Sequence, residues 1–275
     1  MARLPLDVGS EPRRMPGLEI WEVSDDGPSR FCHTVVFEVR YDAVLQMKTT
    51  RRQDAGSLTE AERNGATRIP FAELWPKPTE GMKQYMGEMN DRIHIKGPDL
   101  STYAVLDQIT ESAAEALLRE MATLETVQSQ HDHVAPYLGY TAGDDGLIRG
   151  LCFPSYRETL QDRSADATRP LDLDRCMREI RSGVQFLHDQ GLVHNDLNAD
   201  NIMFDDEDRA VIIDFDSCRP HGAKIARKPG NDLSAERSDF EHDHQALRTL
   251  ERRLRELTPE ERSRSFHPVT SEICK

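Results

Sequence analysis

The sequence predicts an α+β fold in which a strand-rich N-terminal part precedes a mainly helical C-terminal part. Three observations carry this expectation. Segments near 34–41 and 92–96 alternate apolar and polar side chains, as half-buried strands do. Segments near 111–129 and 172–189 repeat apolar side chains every three or four residues, as amphipathic helices do. The 275 residues are enough for one large domain or for two lobes with sizeable cores.

Residues 1–30 are rich in Pro, Gly, Arg and Asp without periodicity and read as a flexible or loosely packed arm. Val35 opens an alternating run, while 51–82 is polar, holds several prolines and resists assignment. In RIHIK, Ile93 and Ile95 share one strand face, and His94 and Lys96 share the other. The helix over 111–129 carries one stripe of Ala113, Leu117, Met121, Leu124 and Val127. Short strands at 134–140 and 147–153 are joined by the turn GDDG, residues 143–146. A second helix over 172–189 repeats Leu173, Met177, Ile180, Val184 and Leu187, and Gly191 stops it. A polar loop at 194–201 follows. Strands Ile202–Phe204 and Ala210–Ile213 are linked by an acidic turn, 217–238 is irregular, and a last helix covers 239–256, with TPEE at 258–261 as a further helix start.

Composition narrows the function classes. The formal net charge is −14 and the pI about 5.2, which argues against general binding to nucleic acid or to an anionic membrane. No run of about 18 apolar residues marks a membrane span. The N-terminal residues lack the apolar core of a secretory signal, and the C-terminal Cys is misplaced for prenylation. Five scattered cysteines without CxxC spacing point away from zinc and from a disulfide framework. The expectation is a soluble protein in a reducing, cytoplasmic setting.

The stretch GLVHNDLNADNIMF, residues 191–204, packs His, Asp and Asn at fixed intervals between two apolar runs. Phosphoryl transfer from Mg-ATP asks for a carboxylate to orient the attacking hydroxyl and for oxygen ligands to a hard cation. Asp196 suits the first task. Asn201 offers an amide oxygen five residues on, and Asp214 follows the apolar strand Val211–Ile213. A hairpin between the two blocks would bring all three to one mouth. His194 suits a role in fixing the loop backbone.

HNDLNADN at 194–201 followed by IIDFD at 212–216 resembles the catalytic loop and metal-binding motif of the protein kinase-like fold, H-R-D-L-x-x-x-N and D-F-G. More narrowly, the two blocks resemble small atypical kinase-like proteins of fungi. The resemblance spans about 90–250. It implies a two-lobed kinase-like fold with a small β-rich N-lobe and a truncated, mainly helical C-lobe. The divisions implied are an arm at 1–30, an N-lobe at 31–153 with 31–89 unassigned, and a reduced C-lobe at 154–275. It further implies that ATP and Mg2+ are bound, that Asp196 is catalytic, and that Asn201 and Asp214 are metal ligands. IHIK resembles the V-A-I-K strand, so Lys96 would meet the ATP phosphates with Glu120 as its ion-pair partner. Residues 149–160 resemble the strand and hinge that hold adenine, and Asp243 resembles the aspartate that anchors the catalytic loop.

The departures are specific. No G-x-G-x-x-G precedes Lys96, and the two glycines of TEGMKQYMGEMN are a weak substitute. Asn195 replaces the Arg that commonly meets a phosphorylated activation loop, which argues against that form of switching. Asn198 stands where a Lys is usual, and Asp216 replaces the DFG glycine. No A-P-E occurs, and the segment after Asp214 is short for a full helical base. Three readings follow. One is an atypical Ser/Thr protein kinase acting on a protein hydroxyl. The second is a small-molecule phosphotransferase, because the blocks also resemble aminoglycoside and choline kinases, where Asp216 would be useful near the metal. The third is a pseudokinase that binds or scaffolds.

Overall fold

The computed structural model describes residues 13–15, 17–24, 27–40, 43–52, 58–100, 103–104, 111–127, 131–225, 237–258 and 261. The first twelve residues of the expected arm, two residues within TPEE, and Cys274 lie outside the described residues.

The N-terminal part opens with an antiparallel sheet of which the sequence reading anticipated only the strand near 34–41. Its strands are β1 (Arg13–Arg14), β2 (Leu18–Ser24), β3 (Gly27–Val39), β4 (Ala43–Thr49) and β5 (Thr67–Pro70). β1 and β2 pair in succession along one edge of β3, and β4 and β5 continue on the other side. The arm expected over 1–30 is therefore strand wherever it enters this sheet. The Pro, Gly and Arg residues flanking β2 obscured an alternation in which Ile20 points into the core.

The pleat of β3 explains why it is covered on both faces. Val35, Phe37 and Val39 belong to one apolar cluster with Ile20, Val44, Ile69, Leu74, Trp75, Leu100 and Tyr103. Val36 points the other way and joins Met47 and Leu58. Short helix α1 (Glu60–Asn64) follows Leu58 and is capped by a Thr59–Glu62 box. A single 3-10 turn, Phe71–Glu73, leads off β5.

A second, three-stranded antiparallel sheet has the order β6 (Ile93–Lys96), β8 (Ile148–Pro154), β7 (Gly139–Ala142). Residues 83–85 run beside β7 through paired backbone bonds between Lys83 or Tyr85 and Tyr140, each 2.9 Å. Gly139 permits this approach, since its φ is +134° and a Cβ there would come within 2.6 Å of the Tyr85 nitrogen. Helix α2 (Ala113–Val127) packs on this sheet through the expected stripe, with all five of its residues buried.

The C-terminal part is mainly helical. It contains β9 (Glu158–Thr159), α3 (Leu160–Ala165), α4 (Leu173–Asp189), β10 (Leu192–Val193), β11 (Ile202–Phe204), β12 (Ala210–Ile212), β13 (Arg219–Pro220) and α5 (Phe240–Glu256). Met177, Ile180, Val184 and Leu187 bury one face of α4. Gly191, at φ +72°, ends it with its N–H on the His188 carbonyl at 2.8 Å. β11 and β12 form the expected hairpin, with Ile202 opposite Ile212. Short β9 and α3 were not anticipated, because neither is long enough to show a period. One apolar cluster runs from α2 through β8 to α4 and α5, so both parts of the chain share a core. The fold is the expected α+β arrangement, with a strand-rich N-terminal region larger than expected and a helical C-terminal region.

Candidate active site

Lys96 ends β6 with its side chain in the cleft, and its Nζ meets two carboxylates. Glu120 Oε1 lies 2.6 Å away and Asp214 Oδ1 2.5 Å away. All three side chains are less than a tenth exposed. The α-helical phase turns Glu120 inward with Leu117, Met121 and Leu124. Burial pushes the Glu120 carboxyl above the usual carboxylate range, and Lys96 opposes that shift. One ammonium between two buried carboxylates leaves this cluster with excess negative charge.

Asp214 leaves β12 with φ +63°, a left-handed conformation that Asp tolerates better than most side chains. This turn sends Phe215 fully into the core, edge-on to His194 at 5.6 Å between ring centroids. Asp214 receives the Lys96 bond on the cleft side. The Ile213 N–H donates to the Asn201 carbonyl at 3.0 Å, which locks the hairpin to the loop before it.

The HNDLNADN motif, residues 194–201, is held from both sides. His194 is fully buried, and its Nε2 donates to the Ile213 carbonyl at 3.0 Å while Nδ1 accepts from the Asp196 N–H at 3.3 Å. That pattern fixes one neutral tautomer and a structural role. Asp243 on α5 is fully buried and accepts the His194 and Asn195 N–H groups at 2.8 and 2.9 Å, together with His188 Nε2 at 2.9 Å.

Asp196 is oriented by two amides. Asn201 Nδ2 donates to its carbonyl at 2.8 Å and to Oδ2 at 3.1 Å. Asn198 Nδ2 reaches its carbonyl and Oδ1, each at 3.2 Å, while the Asn198 oxygen caps the following 3-10 turn. With its nitrogen committed to Asp196, Asn201 keeps an amide oxygen with no hydrogen-bond partner among the described residues. The sequence-predicted residues Lys96, Glu120, Asn201, Asp214 and Asp196 thus share one mouth between the two parts of the chain.

Other contributors were not anticipated. Asn195, also left-handed at φ +63°, donates from Nδ2 to the carbonyls of Val193 and Ser217 and to Ser238 Oγ at 2.9–3.2 Å. His242 Nδ1 lies 3.1 Å from its Oδ1. Arg119, beside Glu120, donates to the Asp216 carbonyl at 2.7 Å and pairs with Glu111. Arg219 donates to that same carbonyl at 2.9 Å, and burial lowers its guanidinium pKa with Arg119 adding to the effect. No sequence pattern marks these contacts, since most of them join residues far apart in the chain. The segment expected to hold adenine is tied to both parts, with Ser155 N–H on the Arg92 carbonyl at 2.7 Å and Arg157 N–H on that of Phe204 at 2.9 Å.

Among the described residues no cluster of three His, Cys, Asp or Glu side chains is poised for a metal, and no helix is long and apolar enough to cross a membrane.

Residues 103–228 match the protein kinase domain family model. That stretch includes Glu120, Asp196, Asn201 and Asp214 and begins after Lys96. Similar proteins include the human "Dual serine/threonine and tyrosine protein kinase", 43% identical over 103 residues, or 38% of this chain and 11% of that protein. The yeast "Serine/threonine-protein kinase HAL5" (Saccharomyces cerevisiae) is 36% identical over 58 residues, 21% of this chain and 7% of that protein. The Drosophila melanogaster "LIM domain kinase 1" is 23% identical over 141 residues, 49% of this chain and 11% of that protein. The chain spans only 7% to 11% of the length of these curated relatives. The matched stretch and these relatives support a likeness of the chain to the protein kinase-like superfamily.

Proposed function

We propose that the chain is an Mg-ATP-dependent phosphotransferase, an atypical kinase that acts on Ser or Thr hydroxyls of a protein. The observation that carries this reading is the bridge from Lys96 to both Glu120 and Asp214 beside an oriented Asp196. A scaffold has no need to hold all four in one cleft. The names of the Ser/Thr kinases to which the chain is similar support a protein acceptor. Asn195, Asn198 and Asp216 support the atypical class and its likeness to small kinase-like proteins of fungi. Unpaired buried cysteines support a reducing cytoplasmic setting.

The donors fit the group they would hold. Asp214 and the amide oxygen of Asn201 are hard oxygen ligands, and the cleft is anionic. Mg2+ takes one or two carboxylates and fills its remaining positions with water and phosphate rather than with a protein cage. Bound Mg2+ would neutralise charge on the phosphates. Lys96 would bind phosphate oxygens, and Glu120 would hold the Lys96 ammonium in line for them. Asp196 would orient the acceptor hydroxyl and take its proton on a carboxylate oxygen. Asn198 and Asn201 would keep that carboxylate turned to the acceptor. Asp216 favours a second reading, a small-molecule acceptor, because it adds a carboxylate beside the metal ligands.

A thermal-shift titration with Mg-ATP comes first, followed by radiolabelled phosphate transfer with wild type and Asp196→Ala. Stabilisation following RT ln(1 + [L]/Kd), with protein labelling lost in the variant, is the expected result. Labelling of small hydroxyl compounds alone would move the assignment to the second reading. Binding without any transfer would leave a pseudokinase, and no binding of nucleotide at all would overturn both enzyme readings.

A further inference from the structure

Lys96 and Glu120 sit on different elements, so their 2.6 Å contact depends on how α2 is set against β6. The first sheet reaches both. On the α2 side the link is Tyr103. Its ring is buried among Phe37, Val44, Leu74 and Ala113. Its hydroxyl donates to the Glu73 carbonyl at 3.2 Å and accepts the Ala113 N–H at 3.3 Å. Ala113 is the first residue of α2, and its N–H is one of the donors that a helix start leaves without an intrahelical partner. The Tyr103 carbonyl accepts from Gln46 Nε2 on β4. On the β6 side the link is the segment after the 3-10 turn. Ile148 N–H of β8 donates to the Pro76 carbonyl at 2.9 Å, and the Arg149 guanidinium lies 4.2 Å from the Trp75 ring centroid. β8 in turn pairs with β6 along its whole length.

One bracket, residues 71–76, therefore touches the helix that carries Glu120 and the sheet that carries Lys96. Seven residues separate Ala113 from Glu120, about 10 Å of rigid helix at 1.5 Å per residue. A fixed helix start at that distance fixes the position of the carboxylate. Ser112 and Glu115 also cap the helix start, but they belong to α2 and its lead-in, so they stabilise the helix without placing it.

We propose that the first sheet is a built-in positioning device for α2, with Tyr103 as the positioning residue that closes the Lys96–Glu120 pair. The catalytic meaning of the pair rests on the phosphotransferase reading, but the positioning itself does not.

The test uses the full chain and needs no turnover. Tyr103→Phe removes only the hydroxyl and keeps the ring in the core. Hydrogen exchange of α2 and labelling of Lys96 by an amine-reactive reagent are read in wild type, Tyr103→Phe and Gln46→Leu. Each variant is expected to raise both readouts about two- to tenfold, the range one lost hydrogen bond gives, with exchange in α4 unchanged. In a Glu120→Gln background, Tyr103→Phe should add nothing to Lys96 labelling, because the pair it closes is already gone. Unchanged α2 exchange and Lys96 labelling would overturn the proposal. So would an equal rise in α4, which would report general loosening, or an undiminished effect in the Glu120→Gln background. A wild type that fails to bind Mg-ATP would sink the functional reading and leave these results standing.

Discussion

Lys96 Nζ lies 2.6 Å from Glu120 Oε1, joining β6 to α2 inside a cleft where both side chains are buried. Lys96→Met keeps the volume and removes the cation that bridges Glu120 and Asp214. Breaking a buried ion pair from one side costs roughly 3–5 kcal/mol. Urea denaturation should show a loss of that size, and Mg-ATP stabilisation should fall with it. Lys83 donates its ammonium to the Tyr137 carbonyl at 3.2 Å, away from both carboxylates. Lys83→Ala should therefore weaken nucleotide binding less. Equal losses of nucleotide binding in the two variants would place the phosphate-binding strand elsewhere.

Asp243 carries the 194–201 loop on its two oxygens, with the N–H groups of His194 and Asn195 on one side chain. Asp243→Asn turns one acceptor into a donor that faces a donor. A buried group left in that state costs about 2 kcal/mol. Thermal melts should register the loss, and the backbone amides of His194 and Asn195 should exchange faster. Protection at wild-type levels would show that another group holds the loop.

Asn195 ties the start and the end of the segment after Asp214, since it bonds both Ser217 and Ser238. The tie is neutral and needs no phosphate. Phosphatase treatment is expected to leave any phosphotransfer activity unchanged. Asn195→Ala should lower that activity and destabilise the chain by about 2 kcal/mol, because the two N–H donors shared among Val193, Ser217 and Ser238 are lost and a left-handed position loses a residue type suited to it. Strong inactivation by phosphatase would point to a charged switch instead.

Three thiols should be silent in the native state. Burial pushes Cys152 up to about 11 and Cys176 and Cys218 up to about 12, so little thiolate forms near neutral pH. Cys32 is only half-buried. Peptide mapping after brief alkylation should find modified Cys32 and unmodified Cys152, Cys176 and Cys218, with all of them reacting in urea. Native-state reaction at Cys218 would mean that the segment behind Phe215 opens readily.

Helices were legible where the sequence repeats itself for several turns. The stripes of α2 and α4 are long enough for burial to impose a period, and Gly191 marks its own stop. The site was legible for a different reason: Asp196, Asn201 and Asp214 lie close in sequence across one hairpin. Lys96 and Glu120 came only through resemblance, since their meeting depends on packing between distant elements. Of the first sheet only the alternating run from Val35 in β3 was legible, since its partner strands are short or flanked by Pro, Gly and Arg. Asn195 read as a lost cation, and only the folded chain shows it as a junction.

The anchoring of the loop by Asp243 also bears on how the molecule can be divided. The stretch that matches the kinase domain model, 103–228, stops before Asp243 and starts after Lys96. Cut out alone, it would keep the residues by which the family is recognised. It would lose Asp243, the post on which the 194–201 loop hangs, and Lys96, the cation that bridges Glu120 and Asp214. Recognisability and autonomy therefore have different borders in this chain, and any expression fragment should be drawn along the second.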